Sequence, residues 1–289
     1  MKERHIGVLL VLPATIILFS VTLFPTIFAY YMSVHRMTLQ HFWNAPFVGL
    51  ENYFRVLSLS DFWYSLKFSL LYTVVVTSIE ITLGFFMAVY FDRPLKGRKA
   101  LISIIMLPMA IAPALFGILM KLMFNDVAGL IPYILKNLFK MEVGFFSNFN
   151  SAFLTLAFID IVQWTPFVFI ILYAAVQALP RAPIDAAIVD GASRWQLIRH
   201  IIIPLLKPTI LIVTVFRVMD ALKTFDTINV ITGGGPGNLT MTLSILVYKL
   251  AYTRGDFGLS AAATIIYFLI VIIIANVGLR LLKKGGILA

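Results

Sequence analysis

The chain contains no cysteine and few charged residues for its length. Without cysteine, neither a disulfide bond nor a thiolate metal site can form. Charged residues make up only 12% of the 289 residues, about half the share found in soluble globular proteins. The four histidines, His5, His35, His41 and His200, lack the spacing of metal ligands. The sequence therefore predicts no metal site and no catalytic residue.

Long apolar runs separate these few charges. The chain is 61% hydrophobic, with a mean hydropathy of +0.96, and several runs reach the length of about 20 residues that crosses a bilayer. A membrane β-barrel would instead show alternating strands of about ten residues. We predict an all-α integral membrane protein with a single domain over residues 1–289. Six spans are predicted, at about 6–34, 68–91, 101–124, 152–178, 201–223 and 260–282.

Lysine and arginine are distributed unevenly between the two sets of connecting segments. More than half of the 23 lysine and arginine residues lie at the two termini, between the second and third spans, and in the segment 179–207. Cytoplasmic loops carry such an excess, so both termini and the segment 179–207 are predicted to be cytoplasmic in a multi-pass cytoplasmic-membrane protein. We attribute the net charge of +10 to this membrane topology, and membrane lipid is an expected partner of the chain. Because the cations are spread over short loops, nucleic-acid binding is not predicted.

The segment 179–207, here called the polar island, interrupts the apolar chain with an ordered mixture of residues. Asp185–Val189 can form a short helix, and Gly191 permits a sharp turn. A second amphipathic helix is expected over Ala192–Ile203, ended or kinked by Pro204. The small residues and their spacing indicate contact with another protein. The alternative is a surface helix held by anionic lipid.

Several polar residues fall within the predicted spans, where a charge costs at least about 2.5 kcal/mol. Asp160 and Gln163 share a helical face beside Trp164, and Arg217 and Asp220 form a second polar stripe. Two interpretations stay open: a structural ion pair of Arg217 with Asp220 or Asp160, or a polar pathway for a hydroxyl-rich solute. Two further charged residues in spans are interpreted as structural or interfacial: Glu80 and Lys121.

The order of residues in the polar island resembles the cytoplasmic "EAA" loop of binding-protein-dependent ABC importer permeases. The usual pattern is Glu-Ala-Ala, Gly and Ile-x-Leu-Pro; here it reads Asp185-Ala186-Ala187, Gly191 and Ile201-x-Ile203-Pro204. Asp185 shortens the usual acid by one methylene, and Ile203 nearly conserves the volume of leucine. Further segments are similar to the carbohydrate-importing branch, in particular to the maltose- and glycerol-phosphate-type first permease subunit: 47–53, 93–98, 107–108, 164–167 and 225–236.

The resemblance implies a type I importer permease that pairs with a second homologous permease and two cytoplasmic ATPases. The ATPases would bind ATP and magnesium, this chain would bind no cofactor, and a soluble extracytoplasmic protein would deliver a sugar. The polar island would be the coupling helix that contacts an ATPase through Asp185, Ala186, Ala187, Asp190, Gly191, Ala192, Arg194, Trp195 and Pro204. By position, the substrate pathway would include Asp160, Val162, Gln163, Trp164, Phe167, Arg217 and Asp220.

Two alternatives are compatible with the same residues. One is the same machine with glycerol phosphate or another polar solute as its substrate. The other is a proton-coupled secondary transporter that uses Asp220 or Asp160 as a proton relay. An ATPase should co-purify with an importer and not with a secondary transporter, so purification discriminates between them. The sequence identifies no particular sugar.

Overall fold

The computed structural model describes residues 2–284, which are mostly helical. These residues contain no β-strand and only two isolated bridges, His35 with Phe47 and Thr38 with Asp256. The prediction of an all-α membrane protein is therefore confirmed. The helices are α1 Lys2–Ser33, α2 Glu51–Ser58, α3 Ser60–Phe91, α4 Arg98–Ala110, α5 Pro113–Met123, α6 Leu130–Phe139, α7 Phe149–Gln177, α8 Arg181–Val189, α9 Arg194–Leu197, α10 Ile203–Leu222, α11 Asp226–Ile231, α12 Leu243–Tyr248 and α13 Phe257–Lys284.

Five helical stretches in the described part of the chain are long and apolar enough to cross a membrane. Four of them correspond to predicted spans with shifted ends, namely α1, α3, α7 and α13. The fifth stretch contains the predicted span 201–223 and is formed mainly by α9 and α10. A sixth crossing exists if the bent pair of α4 and α5 is one span.

The region of the predicted span 101–124 is formed by this bent pair of helices. The helices α4 and α5 meet at an angle of 96°. Ile111 and Ala112 between them have extended ψ values of 133° and 136°, and α5 begins at Pro113. A residue that precedes proline is driven out of the helical region, so Pro113 explains the break at Ala112. The apolar run continues across the break, which is why hydropathy did not reveal it.

The polar island also joins the next span differently from the prediction. Its first helix begins at Arg181, four residues before Asp185. Its second helix begins at Arg194 and does not end at Pro204, because α9 continues through a π-helical turn, Ile198–Ile202, into α10. Pro204 lies in the first turn of α10. The π-helical turn is wider than an α-helical turn and accommodates the ring of Pro204 and its missing N–H. The polar island is therefore continuous with a membrane-spanning helix.

Two compact units make up the described residues: 2–63 with 246–270, and 64–245 with 271–284. In the first unit, the Asn52 side chain donates hydrogen bonds to the carbonyls of Ser33 and His35, both at 2.9 Å. Arg55 forms an ion pair with Asp256 at 2.9 Å in the same unit. These bonds connect α1, α2 and the start of α13.

In the second unit, α3, α7 and α10 share one apolar core, here called the three-helix core. Gly84 allows a close approach of α3 and α7, since a Cβ atom there would lie 2.6 Å from Cγ1 of Val168 and 3.0 Å from the backbone nitrogen of Phe169. Such tight packing fixes the positions of the polar groups that these helices carry. The buried residues of the core are Phe85, Ala88, Phe91, Val168, Phe169, Leu172, Val176, Leu206 and Val213.

Candidate functional site

A single buried arginine connects the three helices of the core. Arg217 on α10 is only 1% exposed. Its Nε and Nη2 atoms donate to the two carboxylate oxygens of Glu80 on α3, at 2.7 and 2.8 Å. Nη2 also donates to Asp160 on α7 at 3.2 Å, and Nη1 donates to Asp220 on α10 at 2.7 Å. One guanidinium group therefore joins α10 to both α3 and α7.

Two aromatic side chains complete this group, which we call the Arg217 cluster: Arg217, Glu80, Asp160, Asp220, Tyr72 and Trp164. The Tyr72 hydroxyl donates to Asp160 at 3.0 Å. The Trp164 ring centroid lies 5.2 Å from the guanidinium carbon of Arg217, which is a cation–π arrangement. Aromatic and carboxylate groups thus surround the arginine.

Three acidic side chains contact one guanidinium group, so acids outnumber the base in the Arg217 cluster. Taking an ion pair out of water costs several kcal/mol per ion, and the bidentate contact with Glu80 and the further bonds offset this cost. The side chains of Glu80 and Asp160 are 0% and 4% exposed, whereas that of Asp220 is 48% exposed. Of the three acidic side chains of the cluster, that of Asp220 is therefore the accessible one.

The structure unites four of the predicted pathway residues in one place: Asp160, Trp164, Arg217 and Asp220. Gln163 instead donates at 3.1 Å to the carbonyl of Ile111, at the break between α4 and α5. Val162 and Phe167 are half-buried, and Phe167 packs edge-on against Trp164 with ring centroids 6.4 Å apart. Arg217 and Asp160 are covered in this conformation, so Asp220 and Trp164 carry the accessible surface. Contact of all these residues with a solute stays a prediction.

The sequence did not reveal how central Glu80 is to this site. It was interpreted as structural or interfacial, and its bidentate bond to Arg217 gives it the structural role. A lone acid inside an apolar span signals a buried partner. Its partner lies 137 positions further along the chain, and a single sequence does not show which residues of distant helices meet. The bond between Tyr72 and Asp160 was missed for the same reason.

Within the polar island, the turn at Gly191 has a defined geometry. Gly191 has a φ of +80°, which is the left-handed region. Its N–H donates to the carbonyl of Ile188 at 3.0 Å, and the N–H of Ala192 donates to that of Ala187 at 2.9 Å. This pair of bonds is a Schellman motif, in which glycine ends the helix. Ser193 then caps α9 through a capping box, so the sequence specifies both helix ends.

The surface of the polar island is exposed and partly apolar. The helices α8 and α9 contain no buried residue, and Val189, Trp195 and Ile188 are 87%, 58% and 55% exposed. Large apolar side chains grouped on a surface mark contact with a protein or a membrane. The structure also leaves these predicted contact residues at least partly exposed: Asp185, Ala186, Ala187, Asp190, Gly191, Ala192, Arg194 and Pro204. An open groove at the turn is lined by Ala187, Asp190, Gly191, Ala192, Gln196, His200 and Ile201.

A second charged group, here called the Asp92 clamp, joins the polar island to the end of α3. Both terminal nitrogens of Arg181 donate to the carboxylate of Asp92, each at 3.0 Å. Gln177, the last residue of α7, also donates to Asp92. Hydrogen bonding to Asp92 raises the pKa of Arg181, so the guanidinium group stays charged. The sequence did not predict this contact, which bridges 89 positions.

The fold and these two charged groups define a class of protein: a multi-pass helical permease. Its apolar helices carry a buried charged cluster, and one helix extends into an exposed surface with apolar side chains. Within residues 2–284, no group of three or more histidine, cysteine, aspartate or glutamate residues is arranged to hold a metal ion. The position of the charged cluster among the apolar helices points to transport through them. The exposed apolar side chains of the polar island point to contact with another protein.

Comparison with known proteins gives the family. The chain belongs to the binding-protein-dependent transport system inner membrane component family, whose model matches residues 80–285. It is 35% identical over 271 residues to the trehalose/maltose transport system permease protein MalF of Thermococcus litoralis, covering 94% of this chain and 91% of the relative. It is 30% identical to the trehalose transport system permease protein SugA of Mycobacterium tuberculosis, covering 97% and 90%. The family resemblance is confirmed.

The fold comparison agrees with this family. The chain matches a crystal structure of a bacterial ABC transporter involved in the import of the acidic polysaccharide alginate, with a TM-score of 0.85 and 21% identity. The match covers 98% of this chain and 96% of that chain. An identity this low establishes the fold of an importer permease and leaves the substrate open.

Proposed function

We propose that this chain is a membrane-spanning subunit of an ATP-driven importer that moves a sugar into the cytoplasm. The observation that carries the proposal is the exposed polar island, which continues without a break into the helix that bears Arg217. A movement imposed on the polar island would act directly on the Arg217 cluster. The names of the two relatives, both trehalose or trehalose/maltose permeases, support a sugar as the substrate.

The partners follow from the exposed surface. The polar island presents Val189 and Trp195 to an ATPase subunit, which binds ATP and magnesium and drives the movement. A second homologous permease forms the other half of the pathway, and an extracytoplasmic binding protein delivers the sugar. Both termini and the polar island lie in the cytoplasm, as the distribution of lysine and arginine indicates. This chain itself carries out no catalysis.

Purification and uptake test this proposal together. A tagged chain, purified from its native membrane in mild detergent, is expected to retain an ATPase subunit. The same complex in proteoliposomes should accumulate labelled trehalose or maltose, with ATP inside and the binding protein outside. Uptake that needs no ATP and collapses when a protonophore is added would support the secondary transporter instead. Purification of the chain without any ATPase subunit would also favour the secondary transporter.

The charge of the Arg217 cluster bears on the substrate. Arg217 is already paired with Glu80, Asp160 and Asp220, and the accessible acid of the cluster is Asp220. A carboxylate accepts hydrogen bonds from sugar hydroxyls and repels an anion. The flat ring of Trp164, which lies against Arg217, can stack on a pyranose. The cluster therefore fits an uncharged sugar better than glycerol phosphate.

Replacing Trp164 by alanine tests the substrate site. The change removes the ring on which a sugar would stack, and the loss of an aromatic contact worth about 1 kcal/mol should lower uptake about three- to tenfold. Initial uptake rates are measured across a panel of trehalose, maltose and glycerol phosphate, with ATPase retention measured in parallel. Trp43, which is 95% exposed, provides the matched tryptophan, and Trp43→Ala should leave uptake unchanged. Unaltered uptake of every solute by Trp164→Ala would remove Trp164 from the pathway.

A further inference from the structure

Asp92 lies where three elements of the second unit meet. It directly follows α3, and its carboxylate accepts hydrogen bonds from Gln177, the last residue of α7, and from Arg181, the first residue of α8. Only residues 178–180 connect these two helices. A single carboxylate therefore bonds to the end of α7 and to the start of α8, and it ties both to the end of α3.

The other attachment of α3 is the Arg217 cluster. Glu80 lies twelve positions before Asp92, which corresponds to about 18 Å along a helix. Between these residues, α3 packs through Phe85, Ala88 and Phe91 into the three-helix core. α10, which continues from the polar island, supplies Arg217 as the partner of Glu80. Thus α3 is joined to the polar island by the Asp92 clamp and to the helix from that island by Glu80.

The Asp92 clamp has the features of a positioning contact. The side chains of Arg181 and Asp92 are 50% and 22% exposed, and ion pairs this accessible add little to stability. Two parallel N–H···O bonds between a guanidinium and a carboxylate nevertheless fix their mutual orientation. Gln177 is a third donor to Asp92. The three hydrogen bonds fix the orientation of Asp92 relative to α7 and α8, even though the ion pair adds little to stability.

We propose that Asp92 is the residue through which a displacement of the polar island is transmitted to α3. The inference rests on the proposed function, since it assigns the path by which the ATPase would move this chain. A rotation of α8 pulls on Asp92, while the same displacement moves Arg217 through α10. The Asp92 clamp and the Arg217 cluster then keep α3, α7, α8 and α10 together as one moving group. Without the Asp92 clamp, α8 and α10 move while α3 follows incompletely.

The test compares the number of sugar molecules imported per ATP hydrolysed by the complete complex in proteoliposomes. Asp92→Asn should lower this ratio about two- to fivefold, in line with the modest strength of an accessible ion pair, while ATP hydrolysis continues. Exchanging the charges with Asp92→Arg and Arg181→Asp should restore much of the loss. Asp61→Asn is the matched control: Asp61 pairs with Arg254 at 3.0 Å, with side chains 33% and 49% exposed, and the ratio should stay unchanged.

The outcomes separate the two proposals. Failure of the unaltered complex to import any sugar would overturn the proposed function. Normal import by the unaltered complex, together with an unchanged ratio in Asp92→Asn, would overturn the role of Asp92 alone. A purely structural role would reduce uptake and ATP hydrolysis in proportion and leave the ratio constant.

A distance measurement tests the inference without relying on uptake. Because the chain contains no cysteine, Tyr90→Cys on α3 and Ala182→Cys on α8 introduce the two attachment points for spin labels in this chain, which is labelled before it is assembled with its partners. In the complex, the distance between the labels should be narrow and the same with and without ATP. Adding Asp92→Asn should broaden it or make it depend on ATP. A distance that changes with ATP in the chain with intact Asp92 would contradict the rigid connection.

Discussion

Replacing Arg217 by methionine is expected to destabilise the chain by about 3–5 kcal/mol, the cost of breaking a buried ion pair by removing one partner. The substitution leaves the carboxylates of Glu80 and Asp160 almost completely buried without their cation. It also removes the side chain through which α10 bonds to both α3 and α7. The midpoint of unfolding of the purified protein in detergent, and the amount found in the membrane, measure the effect.

Neutralising the acids should reverse most of this loss. Arg217→Met combined with Glu80→Gln and Asp160→Asn leaves neither of these buried groups charged, and the amide oxygen at position 160 can still accept the Tyr72 hydroxyl bond. Asp220→Asn serves as the control, because its side chain is 48% exposed and its loss should cost less than about 1 kcal/mol. If the Arg217→Met variant has the same midpoint of unfolding as the unaltered protein, the Arg217 cluster does not stabilise the fold.

The sequence predicted those features of the fold that depend on composition and local chemistry. Long apolar runs located the membrane helices, and Gly191 marked the turn of the polar island. It did not predict the break between α4 and α5, since Pro113 lies within an apolar run of ordinary length. It left open whether Pro204 ends or kinks the second helix of the polar island, and the structure shows a continuous helix with a π-helical turn just before Pro204. Both points concern prolines whose effect depends on their position within a helix.

For the site, the sequence identified the residues and missed their pairing. Asp160, Trp164, Arg217 and Asp220 were singled out because charged and aromatic groups inside spans need a partner or a cavity. The ion-pair interpretation left open for Arg217 named an acid on α7 or α10, and the structure adds Glu80 on α3. The contact of Asp92 with Arg181 lies at the end of spans, where charge is ordinary and gives no signal. Pairing between distant helices arises from packing, which a single sequence does not display.

Replacing Gly191 by valine is expected to lower transport at least about tenfold while insertion into the membrane stays intact. A residue with a Cβ atom in the left-handed region costs about 1–2 kcal/mol, and the Schellman turn at a φ of +80° would have to open. A Cβ at this position meets nothing within 4 Å in the chain, so the fold around it loses no packing. The change therefore acts on the direction of α9 relative to α8, and through it on the surface offered to the ATPase. Uptake per membrane-inserted complex measures it.

Two variants show which property of Gly191 matters. Gly97 has a φ of +72° and also meets nothing within 4 Å, yet it lies outside the polar island, so Gly97→Val imposes the same strain without touching the coupling surface. Transport should survive that change. Asparagine tolerates the left-handed conformation, and Gly191→Asn should therefore keep most of the transport. Equal loss with asparagine and valine would show that the space at the groove, rather than the turn, is what the partner requires. Normal transport with Gly191→Val would contradict the assignment of the polar island to coupling.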